Sequence, residues 1–254
     1  MKKIFLMVAA IAAISMSACK KDKSEEPGSG NNNNSRLLKK MTVTENGETK
    51  VLNFTYDAGK RLVSVISTDN TDKTNFTYDV AGNVIKVEEI NDGVKNIYTY
   101  TYLNNIPATG TFKSWRQVAG EPDDLIEDDE LTYTVTNGQV TKIRLLMKMM
   151  EEEMDFDLQY LNGNLTQVKS VGSDFFKATF TYGNKKPIFP VVSKYILDHA
   201  GFSLQFAAKN DLLTMNFDFP GTELDENQSN QFTYDAEGYA LTGTDGEAQF
   251  KFEY

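Results

Sequence analysis

LNFTYDAGKRLVSV, residues 52–65, and TNFTYDVAGNVIKV, residues 74–87, are two copies of one phrase. Phe54-Thr55-Tyr56-Asp57 returns as Phe76-Thr77-Tyr78-Asp79 and again as Tyr98-Thr99-Tyr100, the tyrosines 22 residues apart (78 − 56 and 100 − 78). A second series has Leu158-Gln159-Tyr160 and Phe180-Thr181-Tyr182, with Leu131-Thr132-Tyr133 before it and Phe232-Thr233-Tyr234-Asp235 near the C-terminus. Six residues past the tyrosine an apolar residue recurs: Leu62, Val84, Ile106, Ile188 and Ala240. Within a unit Leu52, Phe54 and Tyr56 alternate with Asn53, Thr55 and Asp57, the period of two that puts one set of side chains on one face of a strand. The Asp-Ala-Gly and Asp-Val-Ala-Gly segments supply a side-chain acceptor and a residue free to take positive φ, so each unit reads as strand, tight turn, strand. Asn46-Gly47, Asp92-Gly93, Asn137-Gly138 and Asn162-Gly163 mark hairpins between and within units.

Working outward, residues 36–254 read as a single all-β domain. It is a large antiparallel meander of about 14–16 strands, forming a curved sheet or barrel, because the returns are too short for crossover helices. The run LLMKMMEEE, 145–153, has helical propensity but strand periodicity. Ile143, Leu145, Met147 and Met149 face one way, and Met154, Phe156, Leu158 and Tyr160 continue the alternation beyond a tip near 150–152. Two stretches interrupt the series. Pro190–Ala200 spaces Val191, Val192, Tyr195 and Ile196 as one face of a short helix between a first-turn Pro and a terminal Gly201. Since side chains alone fill a barrel only near eight strands, this helix is expected to cover or plug the wider ring. The second stretch, Leu103–Glu130, reads as irregular and holds Phe112, Trp115 and an acidic run over 122–130 read as a solvated loop.

The N-terminus carries Lys2 and Lys3, an apolar run from Ile4 to Ile14, and small residues before Cys19. This is the form of a secretory signal peptide, residues 1–18, too short for a permanent span. Met16-Ser17-Ala18-Cys19 resembles a bacterial lipobox, with Met16 where Leu is usual; the resemblance implies cleavage before Cys19 and acylation of its thiol. More than one acyl chain makes a firm anchor. Residues 19–35, with KKDKSEEPGSGNNNNS after the cysteine, are too polar to bury surface and read as a lipidated, disordered tether. The expected localisation is the outer membrane, with the domain facing the periplasm or the cell surface.

Of 254 residues, 26 are Lys or Arg and 36 Asp or Glu, a net charge of −10. That excludes a basic nucleic-acid face. One Cys and one His exclude a disulfide framework and any motif needing a pair of either. No metal site and no cofactor are expected. His199 beside Asp198 is expected to be structural, and Asp155 with Asp157 to be a solvated strand face. No catalytic residue is assigned. The expected role is a non-enzymatic envelope protein, structural or holding a hydrophobic or glycan ligand in or beside the shell. A ligand would meet Phe112, Trp115 and Tyr195. Its partners are the membrane, through the anchor, and an envelope protein, lipid or glycan; the chain is expected to be a monomer. The alternative is a cell-envelope hydrolase using acidic residues scattered along the chain; convergence of those acids in a pocket would distinguish it.

Tyr78-Asp79-Val80-Ala81-Gly82 and Tyr234-Asp235-Ala236-Glu237-Gly238 resemble YD repeats, from which the first unit departs because Gly59 comes one residue early. With the lipobox, the chain resembles uncharacterised Bacteroidetes lipoproteins of a family of unknown function. The resemblance implies a porin-like β fold and no catalytic residues.

Overall fold

The computed structural model describes residues 36–118, 120–198 and 202–254. The stretches read as signal peptide and tether, with Cys19, lie outside the described residues, as does His199. Among the described residues seventeen strands follow one another. The first group is β1 (Lys40–Glu45), β2 (Glu48–Tyr56), β3 (Leu62–Ser67), β4 (Lys73–Tyr78), β5 (Val84–Asn91) and β6 (Val94–Leu103). Then come β7 (Ile106–Arg116), β8 (Asp124–Thr136), β9 (Gln139–Met147), β10 (Glu152–Leu161), β11 (Asn164–Ser170) and β12 (Lys177–Tyr182). A long insertion holding helix α1 (Phe202–Gln205) leads to β13 (Leu212–Asp218), β14 (Glu226–Ser229), β15 (Gln231–Tyr234), β16 (Ala240–Thr244) and β17 (Ala248–Glu253).

Neighbours in sequence pair antiparallel, and β17 returns to β1, with Phe252 opposite Met41. Only β14 and β15 do not pair with each other. A single residue, Asn230, separates them; β14 lies on β13 and β15 on β16. The Asn230 backbone N–H donates to Leu213 O and its side-chain amide to Leu212 O at 2.7 Å. The two are halves of one bent strand, so the ring counts 17 − 1 = 16 staves and closes as a barrel. Period-two patterning decides which face turns inward. Met41, Leu52, Phe54, Val65, Phe76, Val87 and Tyr98 stand on successive strands and are buried.

The repeat is a device at one end of this barrel. At Tyr56, Tyr78, Tyr102, Tyr160, Tyr182 and Tyr234 the register slips by one residue, a β-bulge that tips the phenol back across the sheet. The hydroxyls of Tyr56, Tyr78, Tyr102 and Tyr160 donate to the carbonyls of Leu38, Leu62, Val84 and Val140 at 2.7–2.8 Å. Each unit is thereby latched to the one before. The third member of the series is Tyr102 rather than Tyr100: Tyr100 is an interior residue two positions up the strand. The following Asp closes the turn. Asp79 Oδ1 accepts from Asn83 N at 2.8 Å, and Asp235 Oδ1 from Glu237 N and Tyr239 N at 2.9 and 3.0 Å. Asp57 does the same for Gly59 and Arg61, but here Lys60, at φ 64°, occupies the left-handed position that Gly82 and Gly238 fill in the other two turns.

After β12 the chain turns inward at this repeat end, and residues 183–198 and 202–211 lie inside the barrel before β13. The expected helix does not form over its described residues: 190–198 are irregular with bends at 192 and 194–195, and the helical turn is α1, further on. Tyr195, Ile196, Leu197 and Asp198 are buried in succession, because apolar wall surrounds the segment and a one-faced helix would waste it. Its backbone is satisfied from outside instead: Tyr133 Oη donates to Leu197 O (2.7 Å), Leu197 N to Ser203 Oγ (2.9 Å) and Val192 N to Phe206 O (2.8 Å). Ile188, aligned above with strand residues, belongs to this plug. Phe189 and Phe206 pack against Phe54 and Phe76 of the wall. Two voids between plug and wall measure about 10 and 20 Å³, room for about one water each. The neck is held by Asp211, which accepts from Lys185 N at 2.7 Å and from the Tyr234 hydroxyl at 2.5 Å. Leu103–Glu130 is not irregular. It contains most of the long hairpin β7–β8, and the acidic run lies largely on β8.

Candidate functional site

The interior is mostly apolar, and a run of buried polar side chains crosses β5–β8 toward the end opposite the repeat turns. On β5, β6, β7 and β8 the inward positions fall in register: Glu89 opposite Asn96, Asn96 opposite Ser114, Ser114 opposite Glu127. One pleat nearer the plug stand Val87, Tyr98, Phe112 and Asp129. Glu89, Asn96, Ser114 and Asp129 are 2–7 % exposed, which for polar groups demands partners. Asn96 Nδ2 donates to Glu89 Oε2 at 3.1 Å, while Asn96 Oδ1 has none.

Glu127 and Asp129, two residues apart on one strand face, bond to each other. Burial, with the neighbouring negative charge added, pushes Glu127 up to about 8, and burial raises Asp129 to about 6. The pair holds one proton that Glu127 donates to the Asp129 carboxylate. Burial also raises Glu89, partly offset by the Asn96 bond. This is an acceptor-rich wall beside an aromatic platform, since Phe112 stacks on Tyr98 at 4.7 Å between centroids. Among the described residues no group of three or more His, Cys, Asp or Glu is placed to hold a metal ion.

The residues singled out as ligand contacts do not converge. Phe112 faces the interior. Trp115 lies on the outer face of β7, opposite Lys95, whose ammonium is 5.7 Å from its ring. Tyr195 is buried in the plug and donates to Asn105 O at 3.2 Å, near the repeat end. Glu89, Asn96, Ser114, Glu127 and Asp129 escaped the sequence reading. A signal for the last two existed: Val135, Tyr133 and Leu131 alternate with threonines, and carrying that alternation back turns Asp129 and Glu127 inward. The density of charge around them masked it.

The outer wall is polar. Threonine pairs bridge strands, Thr99–Thr111 and Thr101–Thr109 at 2.7 Å and Thr181–Thr214 and Thr233–Thr242 at 2.6 Å. Between them run charge ladders. Asp155 and Asp157, the sequence's paired carboxylates, bind Arg144 at 2.9 Å and Lys142 at 3.5 Å across β9–β10. They are cross-strand partners on the solvent face.

No family model and no curated protein matches the chain. Among solved structures it is similar to a porin-like protein from Bacteroides vulgatus ATCC 8482. The TM-score is 0.53 at 11 % identity, over 87 % of this chain and 99 % of that one. At that identity the likeness is one of fold: an all-β barrel built on the same plan.

Proposed function

We propose that this chain is a non-enzymatic cell-envelope protein, tethered by an acylated Cys19, whose barrel stands in water beside the membrane. The outer wall carries this reading. A lipid-spanning barrel needs an apolar outward band, and each Lys or Arg on that face costs about 2–4 kcal/mol at mid-bilayer. Here Lys113, Lys142 and Arg144 stand on the outer face with their acidic partners. Two voids between plug and wall that each take about one water support a structural role over storage of a hydrophobic or glycan ligand.

Cell fractionation of the full-length protein tests the tether. The wild type is expected in the membrane fraction, with a mass showing an acylated N-terminal cysteine. Cys19→Ala is expected to be uncut or released as a soluble, detergent-free barrel. An unmodified Cys19 in mature membrane-bound protein sinks the anchor. A barrel that needs detergent after Cys19→Ala sinks the aqueous placement.

A further inference from the structure

The two ends of the barrel differ in charge. At the end away from the repeat turns, acids stand in loops 68–72, 92–93, 117–123, 148–151, 171–176, 219–225 and 245–247, and Lys148 is the only Lys or Arg in them. Of the far-end acids Asp72 pairs with Lys50 and Asp174 with Lys169, both lysines on the adjoining strands; at the repeat end the acids are engaged as well. Asp57 pairs with Arg61, Asp235 and Glu237 with Arg36, and Asp79 with its own turn. Asp198 and Asp211 are buried. Lys60, Lys185, Lys186 and Lys194 are exposed there and make no ion pair among the described residues. Lys186 and Lys194 lie over the rings of Tyr239 and Tyr195, at 3.6 and 4.8 Å from the centroids.

Apolar tips rise among these lysines. Val80, Leu103, Leu161 and Val191 are 109, 69, 65 and 54 % exposed, on three hairpin turns and the mouth of the plug. Lysines around protruding apolar tips fit an anionic interface: the tips enter the boundary with the acyl chains and the ammonium groups meet phosphates. The far end also shows apolar side chains, Met149, Met150 and Phe175 among them, but in acidic company that an anionic surface repels.

The chain itself sets the approach. Arg36 is fixed at the repeat end, its backbone N–H donating to the Tyr239 hydroxyl at 2.9 Å. The apolar run and Cys19 therefore connect to the barrel at this end, through residues 20–35.

We propose that the repeat end is a docking face for an anionic lipid surface, with Lys185, Lys186 and Lys194 on phosphates and Val80, Leu103, Leu161 and Val191 at the headgroup boundary. The proposal takes from the tethered reading only the side from which the membrane comes. The test uses full-length processed protein with a fluorophore on an introduced cysteine, Leu103→Cys or Met150→Cys. The vesicles contain phosphatidylcholine with or without phosphatidylglycerol, and nitroxide-labelled lipid. The label at 103 is expected to be quenched in anionic vesicles and much less in neutral ones, and the label at 150 in neither. Lys185→Glu/Lys186→Glu/Lys194→Glu, all exposed, is expected to abolish quenching at 103 while thermal unfolding stays in place. Equal quenching at both ends, or none at 103 in protein that remains vesicle-bound, overturns the docking face and leaves the tether standing. If the protein is not vesicle-bound through its N-terminus, the tether has failed. Sedimentation with anionic vesicles then decides the face alone: binding weakened about tenfold or more by the triple substitution sustains it, and no binding overturns it.

Discussion

Lys60 carries the clearest single-residue strain in the repeat. It sits at φ 64° where the equivalent turns use Gly82 at 87° and Gly238 at 79°. A side chain in the left-handed region costs about 1–2 kcal/mol relative to the right-handed one, and glycine avoids that at an entropic cost of about 0.5–1. Lys60→Gly is expected to stabilise the barrel slightly, by less than about 1 kcal/mol, in urea unfolding. Gly82→Ala is expected to destabilise it by about 1 kcal/mol or more. An equal loss from both would mean that the turn conformation is not shared. The early Gly59 is not the positive-φ residue of its turn. Its backbone N–H donates to Asp57 Oδ1 at 2.9 Å, the same cap that Asp235 gives Glu237 in the last turn.

At the scale of the element, β8 is where charge and alternation collide. Its inward Glu127 and Asp129 have folded pKa values raised above those of an unfolded chain, so the native state holds protons that the unfolded state releases. Stability from this strand is fully present below about pH 4, the unfolded carboxylate range. It is lost as pH rises toward about 8, where Glu127 ionises in the native state as well. Glu127→Gln keeps a donor toward Asp129 and removes the titration. Its unfolding free energy is expected to match the wild type near pH 4 and to exceed it by on the order of 2–3 kcal/mol at pH 9. The same gap at both pH values would show that Glu127 is not held neutral. Loss of the turn aspartates works the other way. Hydrogen bonds hold Asp57, Asp79 and Asp235 below the usual carboxylate range, so their contribution disappears only in stronger acid.

Over the whole molecule, a sixteen-stave ring ordinarily leaves an aqueous lumen. Here residues 183–198 and 202–211 occupy it and the outer wall carries paired charges. Purified protein added to planar bilayers is expected to give no conductance; stable ohmic steps would contradict both the plug and the polar wall. The 22-residue spacing, the Tyr-Asp turns and the period-two alternation were enough to derive an antiparallel meander of about the right size, because hairpin geometry is local and each signal sits within one turn and its two strands. The same local reasoning located the segment that interrupts the ring but gave it the wrong conformation. A helix was favoured by spacing and a terminal proline, whereas in the barrel Leu197 finds its partners on Tyr133 and Ser203, far away along the chain or around a corner. Three things were decided only in three dimensions. The bent strand at Asn230 and the return of β17 to β1 close the ring, and closure depends on registers summed around all the strands. Trp115 and Phe112 fall on opposite faces because β7 is a strand and not a loop. The charge of each rim depends on which turns the alternating up-and-down path collects at the same end, and a linear chain distributes those turns evenly along its length.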